Sequence, residues 1–330
     1  MPDPLNVVLS GISSALAAIF SAVVVERLGG TIGGVLATIP TTIIPASLTI
    51  YYQTKNMETF TDAMFTVASG MLLNTAYLYY WKIVPNWIPS SLSSKKRLSI
   101  VAPTSLLFWT ATALLYVLST RWLQSHGIDI KWIGSTSLAI TIIFGLIVVT
   151  LQPAPAPSGK KKTHWVLLIA RGVTAATAVM CASLLATVSG LAAGMASVFP
   201  AIYSTTMITV WFVQGESVTN GAVGPMMLGG VSVTSFALNM TWLIPLLGPA
   251  LAALVAFCLS VVVVSIPLML LMRFLSSRNR KHDEKHEMQS AQYAMLREEG
   301  DQQEVKAPTV GEEEKQGITD CHAGQRVLTF

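Results

Sequence analysis

The sequence predicts an all-α polytopic membrane protein of about nine transmembrane helices, arranged as two inverted four-helix repeats plus a linking helix. Three observations predict it. Charge is nearly absent from the first 273 residues, which hold 13 Lys/Arg and 6 Asp/Glu, whereas the last 57 hold 8 and 11. Apolar runs of roughly 20 residues lie between those charges, long enough for a helix to cross a hydrocarbon core of ~30 Å with its backbone hydrogen bonds closed internally. Finally, residues 29–85 fall on 189–245 without a gap when the chain is slid against itself by 160 residues.

The runs cover about 5–26, 30–51, 59–81, 98–120, 132–152, 165–188, 190–212, 219–242 and 248–273. The first begins directly after Met1-Pro2-Asp3-Pro4, with no basic leader, and is expected to remain as a helix. Only Arg27-Leu28-Gly29 separates the first two runs and only Ser189 the sixth and seventh, so tight hairpins are expected there, with glycine supplying positive φ. Orientation follows from Lys and Arg. One side receives nine of them, including Lys95-Lys96-Arg97 and Lys160-Lys161-Lys162, and the other receives Lys55, Arg121 and Lys131. This places the N-terminus outside (or lumenal) and the C-terminus in the cytoplasm. A transmembrane domain, 1–274, is followed by a tail, 275–330, too charged and too poor in aromatics to fold alone. Its end, Val327-Leu328-Thr329-Phe330, has the pattern of a weak PDZ-type contact through Phe330.

Composition excludes several classes of function. Hydrophobic residues make up 52% and charged residues 12%, against about 25% charged in ordinary soluble domains. The net charge divides into +7 on residues 1–273 and −3 on the tail, and the basic residues cap apolar runs, which gives no case for nucleic acid. Cys181, Cys258 and Cys321 have no partners at ligand spacing, so no metal, cofactor or disulfide framework is expected. No nucleophile–base pair or phosphate loop appears, and an enzyme is not expected.

The 160-residue shift aligns Gly30 with Gly190, Gly34 with Gly194, Pro40 with Pro200, Gly70 with Gly230 and Pro85 with Pro245. Repeat one is 5–120, the linking helix 132–152, and repeat two 165–273. The linking helix crosses once, so the second copy is inverted relative to the first. In each copy small residues four apart (Gly30 and Gly34, Gly190 and Gly194) suit close helix packing. A proline follows ten residues into each segment, ~15 Å along a helix and near the bilayer centre. Proline removes a donor and frees the carbonyl four residues earlier, so the break should face protein or water. Thr38, Thr41 and Thr42 flank Pro40; Ser197, Ser204, Thr205 and Thr206 flank Pro200. Their hydroxyls are candidates either to satisfy the freed carbonyls or to bind a polar solute. Asn74 and Asn239 are candidate cavity-lining amides or interhelical bonds. Arg171, six residues into its run, either snorkels or attracts an anion.

The stretch from Ala193-Gly194 to Phe199-Pro200, followed by Gln214-Gly215-Glu216, resembles the GlpM-like family of small four-helix bacterial inner-membrane proteins. The first copy departs from that pattern at Ile39 and Lys55-Asn56-Met57-Glu58 but keeps the aromatic end Tyr77, Tyr79, Tyr80 and Trp81. The resemblance implies a duplicated and fused four-helix unit and implies little chemistry. The expected function is a secondary transporter or facilitator of a small polar solute by alternating access. The alternatives are a non-transporting scaffold or assembly protein acting through its tail, or a channel.

Overall fold

A computed structural model describes residues 4–28, 39–54, 56–151, 165–275, 277, 288 and 289. The helices are α1 (Pro4–Leu28), α2 (Ile43–Thr54), α3 (Met57–Ile83), α4 (Ser94–Ser125) and α5 (Ile130–Thr150). They continue with α6 (Trp165–Leu185), α7 (Gly190–Ser197), α8 (Ala201–Gln214), α9 (Glu216–Leu247) and α10 (Pro249–Leu259). Helix α10 runs on through a π-helical segment, Ser260–Ser265, to Leu275. No strand occurs among the described residues. Each apolar run of the sequence carries helix, with α7 and α8 sharing the run at 190–212. Among the described residues, six helical stretches are long and apolar enough to cross a membrane: α4, α5, α6, α7–α8 together, α9 and α10 to Leu275. Helix α1 offers a shorter apolar stretch, Pro4–Phe20.

Caps explain where the helices start. Asn56 Oδ1 accepts from the Glu58 N–H at 2.9 Å and opens α3, and Asp129 does the same for α5 through the Lys131 N–H at 2.9 Å. Ser189 Oγ accepts from the Ala192 N–H at 3.3 Å and opens α7. That corrects the expected glycine joint at this hairpin: a serine cap forms it, and Gly190 is already helical. Glycine does carry positive φ on both sides of α9, at Gly215 (98°) and Gly248 (72°).

The helices are apolar outside as well as inside, with most of the small hydroxyl residues turned inward, unlike the polar exterior of a water-soluble fold. Leu107, Leu114, Leu254, Val262 and Leu270 stand exposed, whereas Ser69, Thr75, Ser137, Thr141 and Ser232 are buried. The protein is a multi-pass integral membrane protein. At its centre α3 packs against α9, and α5 lies across both. Gly134 lets α5 reach the Phe65 carbonyl, where a Cβ would come within 2.6 Å, and Gly145 lets it reach Leu228. Ser69 and Ser137 Oγ share a 2.9 Å hydrogen bond across the α3–α5 contact. On another side α1 packs along α6. Helix α2 contacts α1, α3, α6 and α10, while α8 contacts α6, α9 and α4.

The chain divides into two units, Met1–Arg280 and Lys281–Phe330. Of the second, only Met288 and Gln289 are described, both helical and exposed. The expectations for Phe330 and for the rest of the tail lie outside the described residues. So do Gly30, Gly34, Thr38 and the Lys160-Lys161-Lys162 loop.

Candidate functional site

Both mid-run prolines lie at breaks. After Ile39-Pro40, the Thr41 N–H donates to the Ile39 carbonyl at 2.7 Å. After Phe199-Pro200, the Ala201 N–H donates to the Phe199 carbonyl at 2.7 Å. Each is a three-residue turn closed across a buried proline. Helix α7 ends at Ser197 and α8 starts at Ala201, so Pro200 splits this stretch into two helices instead of kinking one.

The carbonyls released at the second break find partners. Ala196 O, which proline cannot serve, accepts from the Phe199 N–H at 3.1 Å. Val198 O accepts from Asn74 Nδ2 on α3 at 2.9 Å. Close approach makes that bond possible. A Cβ on Gly190 would collide with the Thr59 carbonyl, one on Gly194 with the Ala63 carbonyl, and one on Gly70 with the Val198 side chain. Helix α7 therefore lies backbone to backbone on α3.

The two breaks face one cavity of about 70 Å³. Its wall includes Ile39, Thr41 and Thr42 from the first break and Ser197, Val198 and Phe199 from the second. Met71 and Asn74 of α3, Ala175 and Val179 of α6, and Tyr203 of α8 complete much of the rest. Space of about 10–15 Å³ admits one water, so the cavity accommodates a solute of a few non-hydrogen atoms. None of the described lining residues is a Lys, Arg, Asp, Glu or His.

The described sequence-derived site residues divide into three groups. Thr41, Thr42 and Asn74 line the cavity. Pro40 and Pro200 shape the turns. The others point their chemistry elsewhere. Thr205 Oγ1 donates to the Ala201 carbonyl at 2.8 Å, and Thr206 Oγ1 to Ile202 at 2.7 Å, each within its own helix. Ser204 Oγ lies 2.6 Å from the Pro200 carbonyl, to which it donates, and 2.8 Å from the Tyr77 hydroxyl. With the Ser204 proton used on the carbonyl, Tyr77 is the donor to Ser204. Asn239 Nδ2 donates to Ser235 Oγ at 3.3 Å on its own helix. Arg171 is only 6% exposed, which argues against snorkelling, and it is not among the described residues of the cavity wall.

Sequence reading missed a polar clamp at one end of α8. Arg97 on α4 pairs with Glu216 at the start of α9 at 2.6 Å and also donates to the Pro85 carbonyl at 2.6 Å. Trp211 Nε1 donates to Ser94 Oγ at 3.0 Å, and Lys95 Nζ lies 5.7 Å from the Phe212 ring centroid. Trp211 also meets the fully buried Trp81 edge to face at 6.0 Å. The only signal in the sequence was charge: two ionisable residues at the ends of distant runs, 119 positions apart. No family model, curated protein or solved structure matches this chain.

Proposed function

We propose that this protein is a secondary transporter or facilitator that passes a small polar solute by alternating access between two inverted four-helix halves. Residues 5–120 form one half, 165–273 the other, and the helix at 132–152 links them. The observation that carries the reading is the pair of matching proline turns on one small, uncharged cavity. Such paired discontinuities near the midplane are where inverted-repeat transporters bind their substrates.

Packing supports the repeat. A shift of 160 residues carries α1 to α6, α2 to α8, α3 to α9 and α4 to α10. Helix α2 touches α1, α3 and α10, and α8 touches α6, α9 and α4, partners that exchange when the halves are exchanged; α2 also touches α6, a contact that α8 does not match at α1 to the same extent. The fourth helices are also irregular at matching depth, α4 carrying Pro103 and α10 its π segment, Ser260–Ser265. In this reading the Arg97–Glu216 end faces the cytoplasm, by the Lys/Arg count. The GlpM-like resemblance supplies the ancestry, a four-helix unit duplicated and fused.

Flux into liposomes containing the purified protein tests the proposal. Saturation with counterflow is expected of a carrier, and non-saturating flux identifies a channel. The double variant Pro40→Ala/Pro200→Ala is expected to abolish flux while leaving the protein folded. Unchanged flux would remove the two breaks from the mechanism.

A further inference from the structure

We infer that the cavity between the two breaks takes a small uncharged solute bearing N–H or O–H donors, and that the Asn74 amide oxygen is the acceptor that recognises it. The inference deepens the transport reading and rests on it for its biological sense.

The chemistry of the wall selects the class. Asn74 is 2% exposed and lines the cavity. Its Nδ2 is held by the Val198 carbonyl, which can only accept, so the amide orientation is fixed. That leaves Oδ1 as an acceptor with no hydrogen-bond partner among the described residues; the oxygen itself is buried behind the wall, so a solute reaches it as the wall side chains shift. Other buried polar atoms lack partners too, Trp81 Nε1, Trp109 Nε1 and Tyr116 OH among them, but of these residues Asn74 alone lines the cavity among the described residues. Turning the amide over would set Oδ1 against the Val198 oxygen, so Asn74 cannot cure the deficit itself. Ser197, also on the wall, spends its proton on the Gly194 carbonyl at 2.7 Å and offers its lone pairs. The hydroxyls of Thr41, Thr42 and Tyr203 on the same wall can donate or accept, whereas Asn74 Oδ1 can only accept, so it is at Asn74 that the solute must be the donor.

Charge narrows the class further. An ion entering this cavity would lose its hydration and meet no opposite charge among the described wall residues. A neutral donor escapes that penalty. The cavity volume of about 70 Å³ limits it to a few non-hydrogen atoms, in the range of a simple amide or a short polyol. The counterpart of Asn74 in the second half is Thr234, whose Oγ1 lies 3.4 Å from the Gly230 carbonyl of its own helix. Recognition by an amide therefore comes from one half only.

The test places a single reporter thiol in the wall of the full-length protein, as Thr41→Cys with Cys181, Cys258 and Cys321 replaced by serine. Its modification rate by a water-soluble thiol reagent is read with and without acetamide or glycerol, and with acetate or methylammonium as charged probes. Saturable protection by acetamide or glycerol, and none by the ions, is expected. Asn74→Leu should weaken that protection about tenfold, and Ser197→Ala, which spares the Asn74–Val198 bond, about fivefold, the loss of one hydrogen bond. The inference is overturned if neither neutral probe protects, if the ions protect as well as they do, or if Asn74→Leu and Ser197→Ala both protect like the parent. Flux in liposomes is read separately: protection without flux keeps the site and removes the carrier.

Discussion

The two broken stretches, so alike at their prolines, are held in unlike ways. The second, α7–α8, is fixed by directional contacts. Glycines seat it on the α3 backbone, Asn74 ties its break, Tyr77 ties Ser204, and a clamp of Trp211–Ser94 and Arg97–Glu216 closes its far end. The described part of the first, α2, lies in apolar packing: Ile43, Ala46 and Ile50 share a core with Ala252, Ala253 and Ala256 of α10. Phe257 stands where the 160-residue shift would put a counterpart to Arg97, and Tyr51 where it would put one to Trp211. Directional bonds favour one arrangement, while dispersion contacts tolerate several of nearly equal energy. On the proposed exchange of the two halves, the clamped end is the one with a definite closed form.

The largest effect expected from breaking this asymmetry is at Gly194. Gly194→Leu drives a side chain into the Ala63 carbonyl and should shift α7 off α3, costing about 3 kcal/mol or more. Loss of a monodisperse peak in size-exclusion chromatography checks it; Ile50→Val on α2 should cost about 1 kcal/mol and keep the peak. Next is the clamp. Arg97→Ala strands Glu216, a partly buried carboxylate, and should lower thermal stability by about 1–3 kcal/mol. Arg97→Ala/Glu216→Ala should recover part of that loss, which a double-mutant cycle measures. A coupling of zero would make the clamp ornamental and erase the contrast with α2. Tyr77→Phe removes the donor to Ser204 and should cost about 0.6–1.7 kcal/mol, the range of interhelical hydrogen bonds in membranes, read as a shift in melting temperature. Smallest of all, Thr206→Val removes a bond within its own helix and should leave both stability and flux within error.

How much of this was legible beforehand follows from the range of each interaction. Helix positions were legible because a membrane imposes a length of apolar chain that nothing else in the sequence resembles. The breaks were legible because proline acts on its own backbone, whatever surrounds it. The allocation of hydroxyls was not. Thr205 and Thr206 sit at the right depth for a cavity, but a carbonyl four residues back is always within reach, and that local bond wins. Asn74 was legible as a candidate; its role in holding Val198, 124 residues away, was not. Arg97 and Glu216 each read as ordinary ends of spans, and only the fold brings them together.

One irregularity of α10 has a mechanical consequence. A π turn accommodates one more residue than the α ladder around it. Rewinding Ser260–Ser265 as regular α-helix would turn the segment beyond Ile266 by roughly 100° and translate it ~1.5 Å along the axis. Met272, which now shares a small core with Val149 and Leu228, would swing to a different bearing, while Ala252 and Ala256 beside α2 kept theirs. The helix thus carries a built-in phase step, through which its later turns can re-index while its earlier turns stay in place.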